Sequence, residues 1–126
     1  MIVSDAMTTD IITIGPSHSL REASRVMAER SIGSVVVHDP DAAGPGILTE
    51  RDVVRAVAAG IDLDVATAAN HLTKDSAYGS PGWSLDDASE AMRRGGFRHL
   101  VVVDGSSIVG IISMRDIVRA WGNNAP

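Results

Sequence analysis

Gly46-Ile47-Leu48-Thr49-Glu50-Arg51-Asp52-Val53-Val54-Arg55-Ala56 comes back 64 residues later as Gly110-Ile111-Ile112-Ser113-Met114-Arg115-Asp116-Ile117-Val118-Arg119-Ala120. Both copies run glycine, two aliphatic residues, a hydroxyl, two spacers of which the second is Arg, then Asp and a helical tail. Only Glu50 against Met114 is a non-conservative difference. Such a doubled stretch calls for a wider search for repetition. Aligning Leu20 with Leu85, an offset of 65, also pairs Pro16 with Pro81, Ser19 with Ser84, Ala23 with Ala88, Met27 with Met92, Val36-Val37 with Val101-Val102 and Asp39 with Asp104. The chain is thus a tandem duplication of a unit of about sixty residues, divided at 1–60 and 61–126.

Each copy predicts strand, helix, strand, strand, helix. In the first, Ile11 to Ile14 is β-prone and closed by the breaker pair Gly15-Pro16. Ser19-Leu20-Arg21-Glu22 has the form of a capping box, and Leu20, Ala23 and Met27 follow at helical spacing to about Arg30. Gly33 is expected to stop that helix. Ser34 to His38 reads as a strand and Asp39 to Pro45 as a turn-rich connection. Gly46 to Thr49 is a second strand, and Asp52 to Ala59 a helix ended by Gly60. In the second copy Ser84 opens a helix that Gly95-Gly96 ends. Leu100 to Val103 and Ile108 to Ser113 flank an Asp104-Gly105 turn, and Asp116 to Trp121 is the last helix before a fraying Gly122-Asn123-Asn124 tail. Ile61 to Asn70 is expected to be a linker running into a short helical or irregular segment.

Composition narrows the function classes. The 126 residues are 44% hydrophobic and 21% charged, ordinary for a globular chain. With one Phe, one Tyr and two Trp, the core must be aliphatic. A net charge of −5 with scattered basic residues leaves no nucleic-acid footprint. No apolar run approaches the ~18 residues of a membrane span, and no secretory pattern opens the chain. With no cysteine there is no disulfide framework, thiolate nucleophile or zinc ribbon. The expected location is the cytoplasm, and the Arg-over-Lys bias with abundant Ala and Gly suits a bacterial source. The four histidines lack metal-ligand spacing, and none is placed as the base for a serine. The chain reads as a non-enzyme.

The repeated Thr49-x-x-Asp52 and Ser113-x-x-Asp116 are the chemically loaded positions. As Thr/Ser-x-x-Asp they form capping boxes that need no ligand. A carboxylate at a helix start can equally accept hydrogen bonds from both ribose hydroxyls, and the helix end favours an anion. The two readings are compatible, since one cap can hold residues that a nucleotide also uses.

The residues resemble a pair of cystathionine β-synthase (CBS) domains, a Bateman module. The resemblance is carried by Val3, Asp5-Ala6-Met7-Thr8, Thr13-Ile14-Gly15-Pro16, Ile32-Gly33, Val35 to Val37 and Gly46 to Asp52. In the second copy it is carried by Ser84-Leu85, Arg98 to Asp104 and Gly110 to Asp116. It spans essentially the whole chain. It implies an α/β fold of the α+β type, two β-α-β-β-α units packed about a pseudo-twofold axis. It also implies clefts for an adenosine-containing small molecule (AMP, ADP, ATP or S-adenosylmethionine), and a homodimer forming a disc of four CBS units. On this resemblance Thr49, Asp52, Ser113 and Asp116 would hold the ribose. Arg51, Arg115, Arg98 and His99 would meet phosphate, and Thr13, Ile14, Val35 and Leu100 would line the adenine slot. The alternative is a ligand-free scaffold for dimerisation or for a partner protein. One departure stands out: aligned from Val3 to Val65 at an offset of 62, the second copy lacks the Asp-x-Met opening and carries three extra residues before Pro81.

Overall fold

The computed structural model describes residues 1–42, 44–73 and 77–123. Helix α1 (Val3–Ala6) and strand β1 (Thr13–Ile14) are followed by α2 (Leu20–Arg30), β2 (Ser34–Val37), β3 (Gly46–Thr49) and α3 (Glu50–Ala58). The second half repeats the series as α4 (Ala68–His71), β4 (Tyr78–Gly79), α5 (Leu85–Gly95), β5 (His99–Asp104), β6 (Ser107–Ser113) and α6 (Met114–Asn123). Two three-stranded sheets result, ordered β1-β2-β3 and β4-β5-β6. In each, the first pair is parallel and the second antiparallel, as a β-α-β-β unit requires. The fold is the mixed α+β arrangement expected from the sequence.

Local chemistry explains the helix limits. Ser19 Oγ accepts from Glu22 N–H at 3.1 Å, and the Glu22 carboxylate reaches back to Ser19, completing the predicted box. α2 does not run on to Gly33. It ends at Ser31, which adopts the left-handed conformation (φ 54°) and donates to the Ala28 and Met27 carbonyls. Gly96 takes the same position in α5 at φ 70°, where glycine carries no steric penalty. Helices α3 and α6 start two residues before the aspartates. The hydroxyl residue is itself the cap in α3, so Asp52 falls on the third helical position. α6 extends through Gly122 to Asn123 rather than fraying there, while Asn124 lies outside the described residues, as does Ala43 in the expected turn. On the surface of α5, hydrogen bonds from Arg93 and then Arg94 hold the Glu90 carboxyl well below its ordinary value, at about 2.

The compact units are not the halves of the sequence. Ile12–Asp75 forms one, which we call the continuous unit; Met1–Ile11 together with Ser76–Pro126 forms the other, the discontinuous unit. The division at residue 60 marks the repeat, whereas each folded unit takes the opening segment of the other repeat. Val3 N–H donates to the Trp83 carbonyl (2.8 Å), Ser4 N–H to Pro81, and Thr8 pairs with Ile111. In the continuous unit Ala68 N–H donates to His18 (2.8 Å), Ala69 N–H to Pro16, and Thr73 pairs with Ile47. These bonds equate Val3 with Ala68 and Thr8 with Thr73, an offset of 65. The alignment of Val3 to Val65 is therefore corrected: the second opening carries no extra residues, and its counterpart of Asp5-Ala6-Met7-Thr8 is Asn70-His71-Leu72-Thr73. The backbone anchors survived while the side chains diverged, which is why residue matching missed it. Of that opening, residues 74–76 lie outside the described residues.

The two cores are copies. Leu20, Ala23, Met27, Val35, Val37, Leu48, Ala56 and Ala68 form one cluster, with Ile14. Leu85, Ala88, Met92, Leu100, Val102, Ile112, Ala120 and Val3 occupy the matching places in the other, joined by Ile117. Val36, Ile47, Val101 and Ile111, at the alternate strand positions, are buried too, so β2, β3, β5 and β6 are apolar on both faces.

Candidate functional site

In the continuous unit, antiparallel pairing sets Thr49 opposite Ser34, and Glu50 N–H donates to the Gly33 carbonyl at 3.0 Å. That bond ends β3 and fixes the first turn of α3. Thr49 Oγ1 accepts from Asp52 N–H at 3.3 Å and donates to Asp52 Oδ2 at 3.1 Å. Asp52 Oδ2 also accepts from Thr49 N–H at 2.9 Å, which satisfies the free amide at the strand-to-helix junction. A third donor comes from far along the chain: Thr73 Oγ1 donates to the same oxygen at 2.9 Å. Asp52 is only 9% exposed. Among the described residues Oδ1 takes no hydrogen bond, and no buried side-chain oxygen is left without a partner. Oδ1 therefore keeps contact with solvent. A carboxylate with one oxygen saturated and the other open is suited to accept from an incoming hydroxyl.

The discontinuous unit builds the same corner differently. Ser113 lies opposite His99, and Met114 N–H donates to the Arg98 carbonyl at 2.9 Å. Ser113 N–H donates to Asp116 Oδ2 (2.9 Å), and Ser113 Oγ accepts from Asp116 N–H (3.1 Å). Asp116 Oδ1 lies 3.7 Å from the Arg119 guanidinium, a contact with no counterpart at Asp52 among the described residues. Thr8, which matches Thr73, makes no hydroxyl bond to Asp116 among the described residues.

The expected site residues fall into these two sets. Thr13, Ile14, Val35, Thr49, Arg51 and Asp52 belong to the continuous unit, and Arg98, His99, Leu100, Ser113, Arg115 and Asp116 to the discontinuous one. Arg98 and His99 share a strand end with Ser113, whereas the matching positions in the other unit are Gly33 and Ser34. The Glu50 carboxylate covers Gly33 closely: an added Cβ there would lie 2.6 Å from Glu50 Oε1. Val35 and Leu100 are wholly buried and Ile14 nearly so, hence their side chains serve the cores. Thr13, Arg51, Arg98 and Arg115 are exposed. Thr73 was not anticipated. Its signal was available in the Thr of Met7-Thr8, carried forward by the constant offset of 65. Among the described residues no group of three His, Asp or Glu is placed to hold a metal ion. No helix among them is long and apolar enough to cross a membrane.

A duplicated β-α-β-β-α unit, each copy ending its last strand on a hydroxyl–carboxylate helix cap, defines a tandem pair of small α/β modules. The CBS domain family profile matches residues 3–59 and again residues 64–123, and the chain belongs to the CBS domain family. Among curated relatives, a 17.7 kDa protein of Acidianus ambivalens is 36% identical over 119 residues, covering 94% of this chain and 71% of that protein. Among solved structures, a CBS-domain containing protein from Agrobacterium tumefaciens is 35% identical with a TM-score of 0.85, over 95% of this chain and 92% of its own. A CBS domain protein from Pyrobaculum aerophilum, complexed with AMP, is 26% identical with a TM-score of 0.82, over 98% and 99% of the two chains.

Proposed function

We propose that this protein is a regulatory CBS pair that binds an adenosine-containing ligand, with Asp52 and Asp116 accepting hydrogen bonds from ribose hydroxyls. The observation that carries the reading is the Asp52 carboxylate, tied down through Oδ2 and open at Oδ1. The AMP complex of the Pyrobaculum protein supports adenosine as the ligand class. Arg98 and Arg115 supply the positive charge a phosphate requires beside Asp116, with His99 on the same strand end. Arg51 is the corresponding cation beside Asp52. Such a site senses rather than catalyses: a ligand acts by favouring one arrangement of the protein over another. The protein is then a metabolite-responsive switch in the cytoplasm.

Thermal unfolding with AMP, ADP, ATP and S-adenosylmethionine tests this reading. A ligand present at a hundred times its dissociation constant is expected to add about 2.7 kcal/mol of stability. No shift with any of the four at millimolar concentration rejects the reading in favour of a ligand-free scaffold.

We also propose that the switch is a homodimer. Each unit leaves an apolar pair exposed one helical turn apart: Val54 (64%) and Val57 (58%) on α3, Val118 (58%) and Trp121 (46%) on α6. The pairs occupy matching positions of the two repeats. Partner surfaces are enriched in exposed apolar and aromatic residues of this type. The chain is expected to sediment at twice its monomer mass, and Val54→Glu with Trp121→Glu to reduce it to monomer. A monomeric parent chain at micromolar concentration refutes the assignment.

A further inference from the structure

We infer that Thr73, outside the expected contact set, is a positioning residue that holds the Asp52 carboxylate ready for the ribose. The inference rests on the adenosine-binding reading above and concerns how that site is prepared.

Three donors converge on Asp52 Oδ2: Thr49 N–H at 2.9 Å, Thr49 Oγ1 at 3.1 Å and Thr73 Oγ1 at 2.9 Å. Two come from Thr49, three residues away in the cap itself. The Thr73 hydroxyl supplies a third point from a segment 21 residues away. That segment is fixed in turn, because Thr73 N–H donates to the carbonyl of Ile47 in β3 at 2.9 Å. Oδ2 is therefore held from two independent directions, and Oδ1 is left as the acceptor that meets solvent. A group fixed in its productive orientation before the ligand arrives loses less freedom on binding.

The other unit shows the same corner without this device. Among the described residues Asp116 Oδ2 accepts from Ser113 N–H alone, and Oδ1 faces Arg119 at 3.7 Å. The matching Thr8 keeps its backbone pairing with Ile111 yet, among the described residues, sends no hydroxyl to the carboxylate. Plain capping does not need the Thr73 contact, since Ser113-Asp116 caps α6 without its equivalent. What the contact adds at Asp52 is orientation.

The test is calorimetric titration of AMP into the intact chain and into Thr73→Val, Thr73→Ser and Thr8→Val. The hydroxyl-free valine is expected to weaken binding at the Asp52-dependent site about ten-fold, the scale of one hydrogen bond to a charged group. Serine restores most of it, and Thr8→Val leaves both sites at parental affinity. Unchanged affinity in Thr73→Val overturns the inference, and so does an equal loss in Thr73→Ser, because that would assign the effect to the methyl group or to packing. Parental protein that binds AMP without dependence on Asp52, or does not bind it, overturns the ribose reading and this inference with it. Parental binding that Thr73→Val leaves intact overturns the inference alone.

Discussion

Gly110→Ala is expected to lower the free energy of unfolding by about 2–3 kcal/mol, and Gly110→Val by more, as overpacking of a closed contact does. A Cβ at this position would lie 2.7 Å from Met7 Sδ and 2.9 Å from the Thr8 carbonyl oxygen. The Met7 side chain can turn aside, but the Thr8 carbonyl cannot give way cheaply. The Thr8 carbonyl accepts from Ile111 N–H at 3.0 Å, and Thr8 N–H donates to the Ile111 carbonyl at 2.8 Å, so displacing the backbone breaks a bridge. Gly46 is the matching glycine in the other repeat, and there the atoms nearest to an added Cβ all belong to the Leu72 side chain, at 3.1 and 3.3 Å. A leucine tip can turn aside, so Gly46→Ala is expected to cost less than about 1 kcal/mol. Gly82→Ala, where nothing lies within 4 Å, is the control and is expected to be neutral. Urea unfolding of the three variants checks the order 110, 46, 82. Equal losses at 46 and 110 would show that the glycines serve the strand rather than the crossing segment.

That contrast also shows what was legible in the sequence. The glycine heading each repeated stretch was conspicuous, but its reason lies in Met7 and Leu72, each from the opening segment of the other repeat. Periodicity placed the core correctly because Leu20, Ala23 and Met27, with Leu85, Ala88 and Met92, lie on single helical faces. It could not show that Val3 completes the core of the second repeat and Ala68 that of the first, because exchange of segments leaves no local pattern. The caps at Thr49 and Ser113 were legible from four residues each. Thr73 was not, because its bond to Asp52 spans 21 residues and depends on an alignment that diverged side chains obscured. Val35 and Leu100, which read as adenine-slot residues by resemblance, are members of the two cores.

Asp52→Ala is expected to carry the largest combined effect of any single substitution in the two caps. It removes the acceptor for Thr49 N–H and for two hydroxyls in a corner that is 9% exposed. Loss of the cap costs about 1 kcal/mol, and donors left unpaired in a buried corner add to it, giving about 2–3 kcal/mol in all. Asp116→Ala removes the acceptor of one backbone amide and a 3.7 Å ion contact, and is expected to cost about 1 kcal/mol. Neither number separates a cap from a ribose clamp, since both roles lose the same bonds to the protein. Asp52→Asn does separate them. The amide oxygen can still accept from Thr49 N–H and so retain most of the stability. With that oxygen in the Oδ2 place, the NH2 group, a donor, replaces at Oδ1 the charged oxygen that would bridge two ribose hydroxyls. If Asp52 only caps α3, the asparagine variant unfolds and binds AMP as the parent does. If it clamps a ribose, affinity at that site falls about 100-fold while the unfolding midpoint stays near the parental value, two charge-assisted bonds being lost to the ligand and none to the fold.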